Sequence, residues 1–220
     1  MSETGKVHAV IFDLDGTLID TEKYYRKCWP EAVEHFGYTM TDEQALSLRS
    51  LGRPFAPQRF KEWYGEDFDY EKVRAYRKER MEYYLKTYGI TLKPGAKEIL
   101  RWLREHHIVT ALATANDRER AERYLKKIGL YEYFDRVISA DMVACGKPAK
   151  DIYAYACEQL KELPEHCMAV EDSPNGAMSA IAAGCKTVYI PDQTPVEEEL
   201  LPHLFAWKEN LLGICELFVP

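Results

Sequence analysis

Short apolar runs punctuate this chain at wide intervals, and several stop at a polar or acidic residue. The first, Val7 to Phe12, reads Val-His-Ala-Val-Ile-Phe and is followed by Asp13, then Asp15-Gly16-Thr17. Such a run, with little alternation, suits a strand buried on both faces of a parallel sheet. Ile108 to Ala113, Met168 to Val170 and Thr187 to Ile190 repeat the pattern, and Arg136-Val137-Ile138-Ser139 is a shorter version of it. Between these runs the period changes. Ala96, Ile99, Leu100 and Leu103 recur at helical spacing, as do Ala121, Tyr124, Leu125 and Ile128, with Gly129 placed to cap the second helix. A third helix is expected from Ala177 to Ala183, stopped by Gly184. Strands alternating with helices predict an α/β domain with a doubly wound, Rossmann-like parallel sheet.

The stretch from about Asp20 to Thr91 interrupts that alternation. It holds no convincing buried strand and is rich in Tyr, Trp, Arg, Lys and Glu. Val73, Tyr76, Arg80, Tyr83 and Tyr84 suggest an amphipathic helix there. The expected organisation is therefore an α/β core made of residues 1–19 and 91–220, with a helical cap inserted at 20–90. Lys93-Pro94-Gly95 marks the re-entry. Pro191 to Pro202 reads as a proline- and glutamate-rich loop, and Leu211 to Phe218 as a last helix.

Composition narrows the function classes. The 220 residues are 46% hydrophobic, enough for a core without disulfides. The net charge of -7 makes a general nucleic-acid binder a poor expectation, while leaving small phosphates open. The six cysteines show neither C-x-x-C nor zinc-finger spacing, which points to a reducing, cytoplasmic setting. No apolar run approaches the roughly 18 residues of a membrane span, and Met1 to Gly5 lack the features of a secretory signal.

Four motifs carry candidate chemistry. Asp13-Leu14-Asp15-Gly16-Thr17 sets two carboxylates just past a buried strand, where ligands bind in open α/β sheets. Unpaired charge there is costly, and a bound cation would relieve it. The same letters also fit an ordinary Asx turn. Val170-Glu171-Asp172-Ser173 repeats the logic; its acids suit Mg²⁺, and they equally suit a helix cap. Thr114, with the backbone N–H groups of Ala115 and Asn116, suits phosphate oxygens as well as it suits a helix N-cap. Lys147, between Gly146 and Pro148, offers a fixed positive charge or is a surface lysine.

Taken together and in this order, the motifs resemble those of the haloacid dehalogenase-like hydrolase superfamily. The resemblance is to the branch holding β-phosphoglucomutase and small sugar-phosphate phosphatases, and it spans nearly the whole chain. It implies a phosphohydrolase that works through an aspartyl-phosphate intermediate on a small phosphorylated metabolite. Asp13 would be the nucleophile and Asp15 the general acid and base. Thr114 would hydrogen-bond the phosphoryl group, and Lys147 would stabilise its charge. Mg²⁺ would be held by Asp13, the backbone carbonyl of Asp15, Asp172 and Glu171, the last directly or through water. Thr21, Tyr25, Trp29 and Arg53 of the cap, with Ala115 and Asn116 of the core, would contact substrate. A monomer without nucleic-acid or membrane partners is expected.

Two departures favour hydrolysis over the mutase alternative. Tyr25 stands where β-phosphoglucomutases carry a histidine, and Asn116-Asp117 replaces their lysine-asparagine pair. Asp15 argues against carbon–halogen cleavage, because the founding dehalogenases lack it. Nothing marks Lys23 or Lys27 as the Schiff-base lysine that phosphonate cleavage needs. The long insertion disfavours a signalling receiver domain, and the full acid set disfavours a non-catalytic binding protein.

Overall fold

A computed structural model describes residues 6–218. Its centre is one six-stranded parallel sheet in the order β3-β2-β1-β4-β5-β6. The strands are β1 (Ala9–Phe12), β2 (Val109–Thr114), β3 (Arg136–Ser139), β4 (Cys167–Glu171), β5 (Lys186–Tyr189) and β6 (Ala206–Trp207). In register, β1 lies between β2 and β4, with Phe12 opposite Leu112 on one side and Val170 on the other. The chain therefore builds outward from β1 in one direction and then crosses to its other side. That reversal opens a crevice at the carboxyl ends of β1 and β4, the place where such sheets bind ligands.

The apolar strand runs reflect two separate cores. Val10, Phe12, Leu112, Met168 and Val170 face a cluster containing Ile99, Leu100, Leu103 and Leu125. These come from α5 (Ala96–Glu105) and α6 (Arg118–Ile128). The alternate residues Ala9, Ile11, Ala111, Ala113 and Ala169 face Ile152, Tyr153, Ala156 and Ala180. Those belong to α7 (Asp151–Leu160) and α8 (Pro174–Ala183). Small strand side chains on this second face leave room for Tyr153, which is fully buried. Local signals set the helix ends. Asp117 and Ser173 accept from the backbone N–H groups of Arg120 and Gly176, and Gly129 and Gly184 close their helices in left-handed conformation.

Between β1 and α5 lie α1 (Glu22–His35), α2 (Asp42–Ser47), α3 (Phe55–Tyr64) and α4 (Tyr70–Tyr88). They enclose a separate aromatic core in which Trp29 packs against Phe60 and Tyr70. The buried seam of α4 is Tyr70, Val73, Arg77, Met81 and Leu85. This corrects the seam expected from sequence: Tyr83 is exposed, and Arg80 pairs with Glu31 while remaining partly exposed. Tyrosine can serve either face of a helix, so its periodicity misled.

The final segment is helical over the expected residues. Leu211–Phe218 forms a 3₁₀ helix, not an α-helix. Leu211, Ile214 and Leu217 pack on the core at three-residue spacing, which suits three residues per turn. α7 and the two-residue β6 were not expected at all. The buried residues of α7 are Ile152, Tyr153, Ala156 and Cys157, interleaved with Tyr155 and Ala154, which blurs the apolar stripe. All six cysteines are free thiols. No helix among the described residues is long and apolar enough to cross a membrane.

Candidate active site

The β1–β4 ladder runs one residue past β1, where the Asp13 N–H donates to Val170 O at 3.0 Å. That bond fixes the Asp13 carboxylate beside the acids that end β4. Asp13, Glu171 and Asp172 are buried, and one oxygen from each falls within 4.8 Å of the others. Lys147 reaches into this group from the loop before α7. Its ammonium donates to Asp13 Oδ1 and Glu171 Oε1, both at 2.5 Å, and to Ala113 O at 3.1 Å. Three N–H groups thus meet three acceptors. Burial alone would lower the Lys147 pKa, but the charges of Asp13 and Glu171 outweigh it and hold the ammonium above its ordinary range.

One ammonium among three buried carboxylates leaves excess negative charge. Burial raises Asp13 well above the usual carboxylate range, against the pull of Lys147, and Glu171 and Asp172 raise it further. Asp172 is pushed up to about 8, by burial first and then by Glu171, although Arg49 opposes the shift. Two oxygens here, Asp13 Oδ2 and Asp172 Oδ2, are buried without a hydrogen-bond partner. Glu171 is better satisfied. Its Oε1 also accepts from Tyr153 at 2.6 Å, and its Oε2 from Ser173 at 3.3 Å. The arrangement fits a hard divalent cation bound chiefly by the free oxygens of Asp13 and Asp172.

Asp15 lies outside that trio of acids. Its Oδ1 accepts from Thr21 and its Oδ2 from Asn116, both at 2.5 Å. Burial raises its pKa despite these two bonds, so it is suited to carry a proton. Two expected contacts are thereby relocated. Thr21 is fully buried with its hydroxyl on Asp15, and it does not line the cavity. Thr114 is also fully buried, and its hydroxyl accepts from the Asn116 backbone N–H and side-chain amide, each at 3.2 Å. Neither presents a free face to substrate in this arrangement. Asp15 likewise offers no carboxylate oxygen to the cation cluster.

A cavity of about 480 Å³ opens over Asp13 and Asp15. Tyr25, Trp29, Arg53, Ala115 and Asn116 all line it. Tyr25 donates to Asn116 Oδ1 at 3.1 Å and so backs the amide that holds Asp15. The helical segment meets the core through backbone. Gly52 N–H donates to Lys147 O at 2.9 Å, and Gly146 N–H donates to Arg53 O at 2.7 Å. A Cβ on either glycine would come within 2.7 Å of the other's Cα, so the approach needs glycine on both sides.

Sequence reasoning missed three charged residues. Glu22, at the start of α1, is buried and lines the cavity; burial, then Asp172 and Asp15, raise its pKa. Arg49 is buried, donates to Asp172 O at 3.4 Å and to Thr194 at 2.6 Å, and lies 4.0 Å from Asp172 Oδ2. Arg77 is only 7% exposed. Its guanidinium sits over the rings of Tyr25 and Trp29, at 5.0 and 4.8 Å from their centroids. Its Nε and Nη1 have no hydrogen-bond partner. Burial of charged side chains would have signalled all three, but that comes only from tertiary packing.

A family model described as haloacid dehalogenase-like hydrolase matches residues 7–184. The phosphorylated carbohydrates phosphatase of Thermotoga maritima is 31% identical over 191 residues, covering 83% of this chain and 84% of that protein. The fructose-1-phosphate phosphatase YqaB of Escherichia coli is 29% identical over 184 residues, covering 81% of this chain and 94% of its own. Among solved structures, CbbY from Rhodobacter sphaeroides in complex with phosphate superposes with a TM-score of 0.78 at 27% identity, covering 93% of this chain and 94% of that one. The chain belongs to the haloacid dehalogenase-like hydrolases and is a phosphohydrolase of that family.

Proposed function

We propose that this enzyme is a Mg²⁺-dependent phosphatase for a small phosphorylated metabolite, with sugar phosphates as the leading class. The observation that carries the reading is the unpartnered Asp13 Oδ2, in a carboxylate held by Lys147 beside Asp172, at the base of the cavity. The named activities of the Thermotoga and Escherichia relatives support the substrate class. Six free thiols fit a reducing compartment, so the proposed location is the cytoplasm, and the proposed working unit is a monomer.

In this reading one oxygen of the Asp13 carboxylate attacks phosphorus while the other faces the cation, and the bond from phosphorus to the ester oxygen breaks. Asp15 gives its proton to the departing oxygen. Asp15 then takes a proton from water, the water oxygen attacks phosphorus, and the bond to Asp13 breaks. Inorganic phosphate leaves, and the Asp13 carboxylate is restored. Lys147 holds Asp13 in place and lends positive charge throughout. Asp13, Asp172 and the Asp15 carbonyl, with Glu171 behind them, would hold Mg²⁺, which supplies charge neutralisation for the phosphoryl oxygens.

The helical segment 20–90 acts as a cap that excludes bulk water. Arg53 and Arg77 face the cavity, and the unpaired donors of Arg77 suit a second anionic or oxygen-rich group on the substrate. The test is phosphate release from a panel of phosphorylated sugars, nucleotides and an aryl phosphate, with and without Mg²⁺. Asp13→Asn serves as the blank, and β-glucose 1-phosphate isomerisation is followed in parallel. Mg²⁺-dependent release that the variant lacks is expected. Isomerisation without net release would make the enzyme a mutase.

A further inference from the structure

A second cluster of ligand-type side chains lies at the other end of the sheet. His8 precedes β1 and His166 precedes β4, so both stand at the strands' amino ends. The acids described above stand at the carboxyl ends, about 16 Å away from His8 along β1 at 3.3 Å per residue. His8 Nδ1 lies 3.0 Å from Glu162 Oε2. The two imidazole centroids are 4.6 Å apart. One ligand atom from each of His8, Glu162 and His166 falls within 4.8 Å of the others.

We propose that His8, Glu162 and His166 form a separate binding site for a borderline transition-metal ion of the Zn²⁺ type.

Three features support it. First, each ligand hangs from an anchored piece of backbone. The His8 N–H donates to His166 O at 2.9 Å, locking the two histidines side by side. Glu162 follows the end of α7, where Lys161 takes a left-handed conformation and the Glu162 N–H donates to Cys157 O at 3.0 Å. That closure turns the chain back, and the Glu162 carboxylate meets His8. Second, the donors are two imidazoles and one carboxylate. That set suits Zn²⁺, Co²⁺ or Ni²⁺ with water completing the shell, and it is a poor one for Mg²⁺ or Ca²⁺, which prefer oxygen. The oxygen-only trio at the opposite end has the reverse preference, so one chain would sort two cations by donor chemistry. Third, all three side chains are partly exposed, at 36%, 26% and 18%, so an ion can enter while the site remains partly desolvated. Glu165 Oε1 lies 3.8 Å from His166 Nε2 and adds a second carboxylate beside the ring. A bound ion would tie the starts of β1 and β4 to the exit of α7 and stabilise the folded chain by linkage.

The test is calorimetric titration of Zn²⁺ into the full chain in excess Mg²⁺, which keeps the oxygen site filled. One equivalent is expected to bind, and His8→Gln and His166→Gln should each weaken it about tenfold or more. Glu162→Gln, a change at a partly exposed side chain, provides a variant that leaves the histidines in place. Zn²⁺ should raise the melting temperature of the wild type and not that of the variants. Mg²⁺-dependent phosphate release should be unchanged in all three, because none touches the cavity. Co²⁺ should give a visible spectrum without the near-ultraviolet thiolate band that the nearby Cys157, Cys167 or Cys185 would produce. Absence of Zn²⁺ uptake, uptake that survives all three substitutions, or a thiolate band would overturn the proposal.

Discussion

The carboxyl edge of the sheet and the helical segment above it are held together in different ways. At the sheet edge, charged groups answer one another: Lys147 meets Asp13, Glu171 and a carbonyl, and Tyr153 and Ser173 complete Glu171. Among its acids, Asp13 Oδ2 and Asp172 Oδ2 are left without a partner. The helical segment instead rests on aromatic packing, and Arg77 lies over two rings with two donors unused. In the proposed reading, the edge serves the group common to all substrates, phosphate with its cation, and the helices serve the remainder of the substrate. Substitutions at the edge should therefore act on chemistry, and those above it on selection.

The largest effect is expected from Asp13→Asn. Turnover should fall by about 10⁴-fold or more with the fold intact, because the burial that raises Asp13 makes its charge a liability to stability. Activity near wild type, measured as phosphate release, would break the comparison at its root. Lys147→Met should abolish activity and also cost about 3–5 kcal/mol, since it strands two buried carboxylates. Denaturant unfolding checks the second part. Asp15→Asn should lower kcat by about 10²–10⁴-fold, with the loss in the proton-transfer steps.

Arg77→Met should act differently from all of these. KM should rise about tenfold for substrates carrying a second anionic group, with kcat changed much less, and a simple aryl phosphate should be nearly indifferent. Steady-state kinetics on the two substrate types would show it. A kcat loss common to both would place Arg77 with the chemistry and erase the distinction between the two regions.

The smallest effect is on stability against pH. Asp172 titrates near 3.8 when unfolded and about 8 when folded, so between these values the folded chain binds the extra proton. The metal-free protein should therefore lose stability as pH rises through that window. Mg²⁺ should offset the loss, with a larger gain in melting temperature at pH 8 than at pH 5. A gain independent of pH would remove Asp172 from the cation site.

How much of this was legible follows from the same contrast. Asp13, Asp15, Glu171 and Asp172 could be read because charge directly after a buried strand violates the ordinary rule of burial, and such a violation is visible in one dimension. Lys147 was legible through its place between glycine and proline and through its order among the other motifs. Thr21 and Thr114 were expected to meet substrate, and their hydroxyls instead meet Asp15 and Asn116, because such bonds depend on turns that a sequence does not specify. Arg49, Glu22 and Arg77 look like solvated charges on helical stretches, and only the docking of the helices on the core buries them. The α4 seam failed for a related reason. Its tyrosines fit either face, and Arg77 occupies an inward position that a hydrophobic pattern assigns to an apolar residue. α7 escaped because it lies between sheet and solvent with aromatic and small residues on both sides of its stripe.

The central claim is that Asp13 takes the phosphoryl group while Asp15 manages the proton. It is tested most directly by mixing Asp15→Asn with Mg²⁺ and its best substrate, quenching in acid, and weighing the peptide that contains Asp13. The account predicts that this peptide gains the mass of one phosphoryl group, and that the gain is absent from the Asp13→Asn variant. An unmodified Asp13 peptide together with undiminished phosphate release would contradict it.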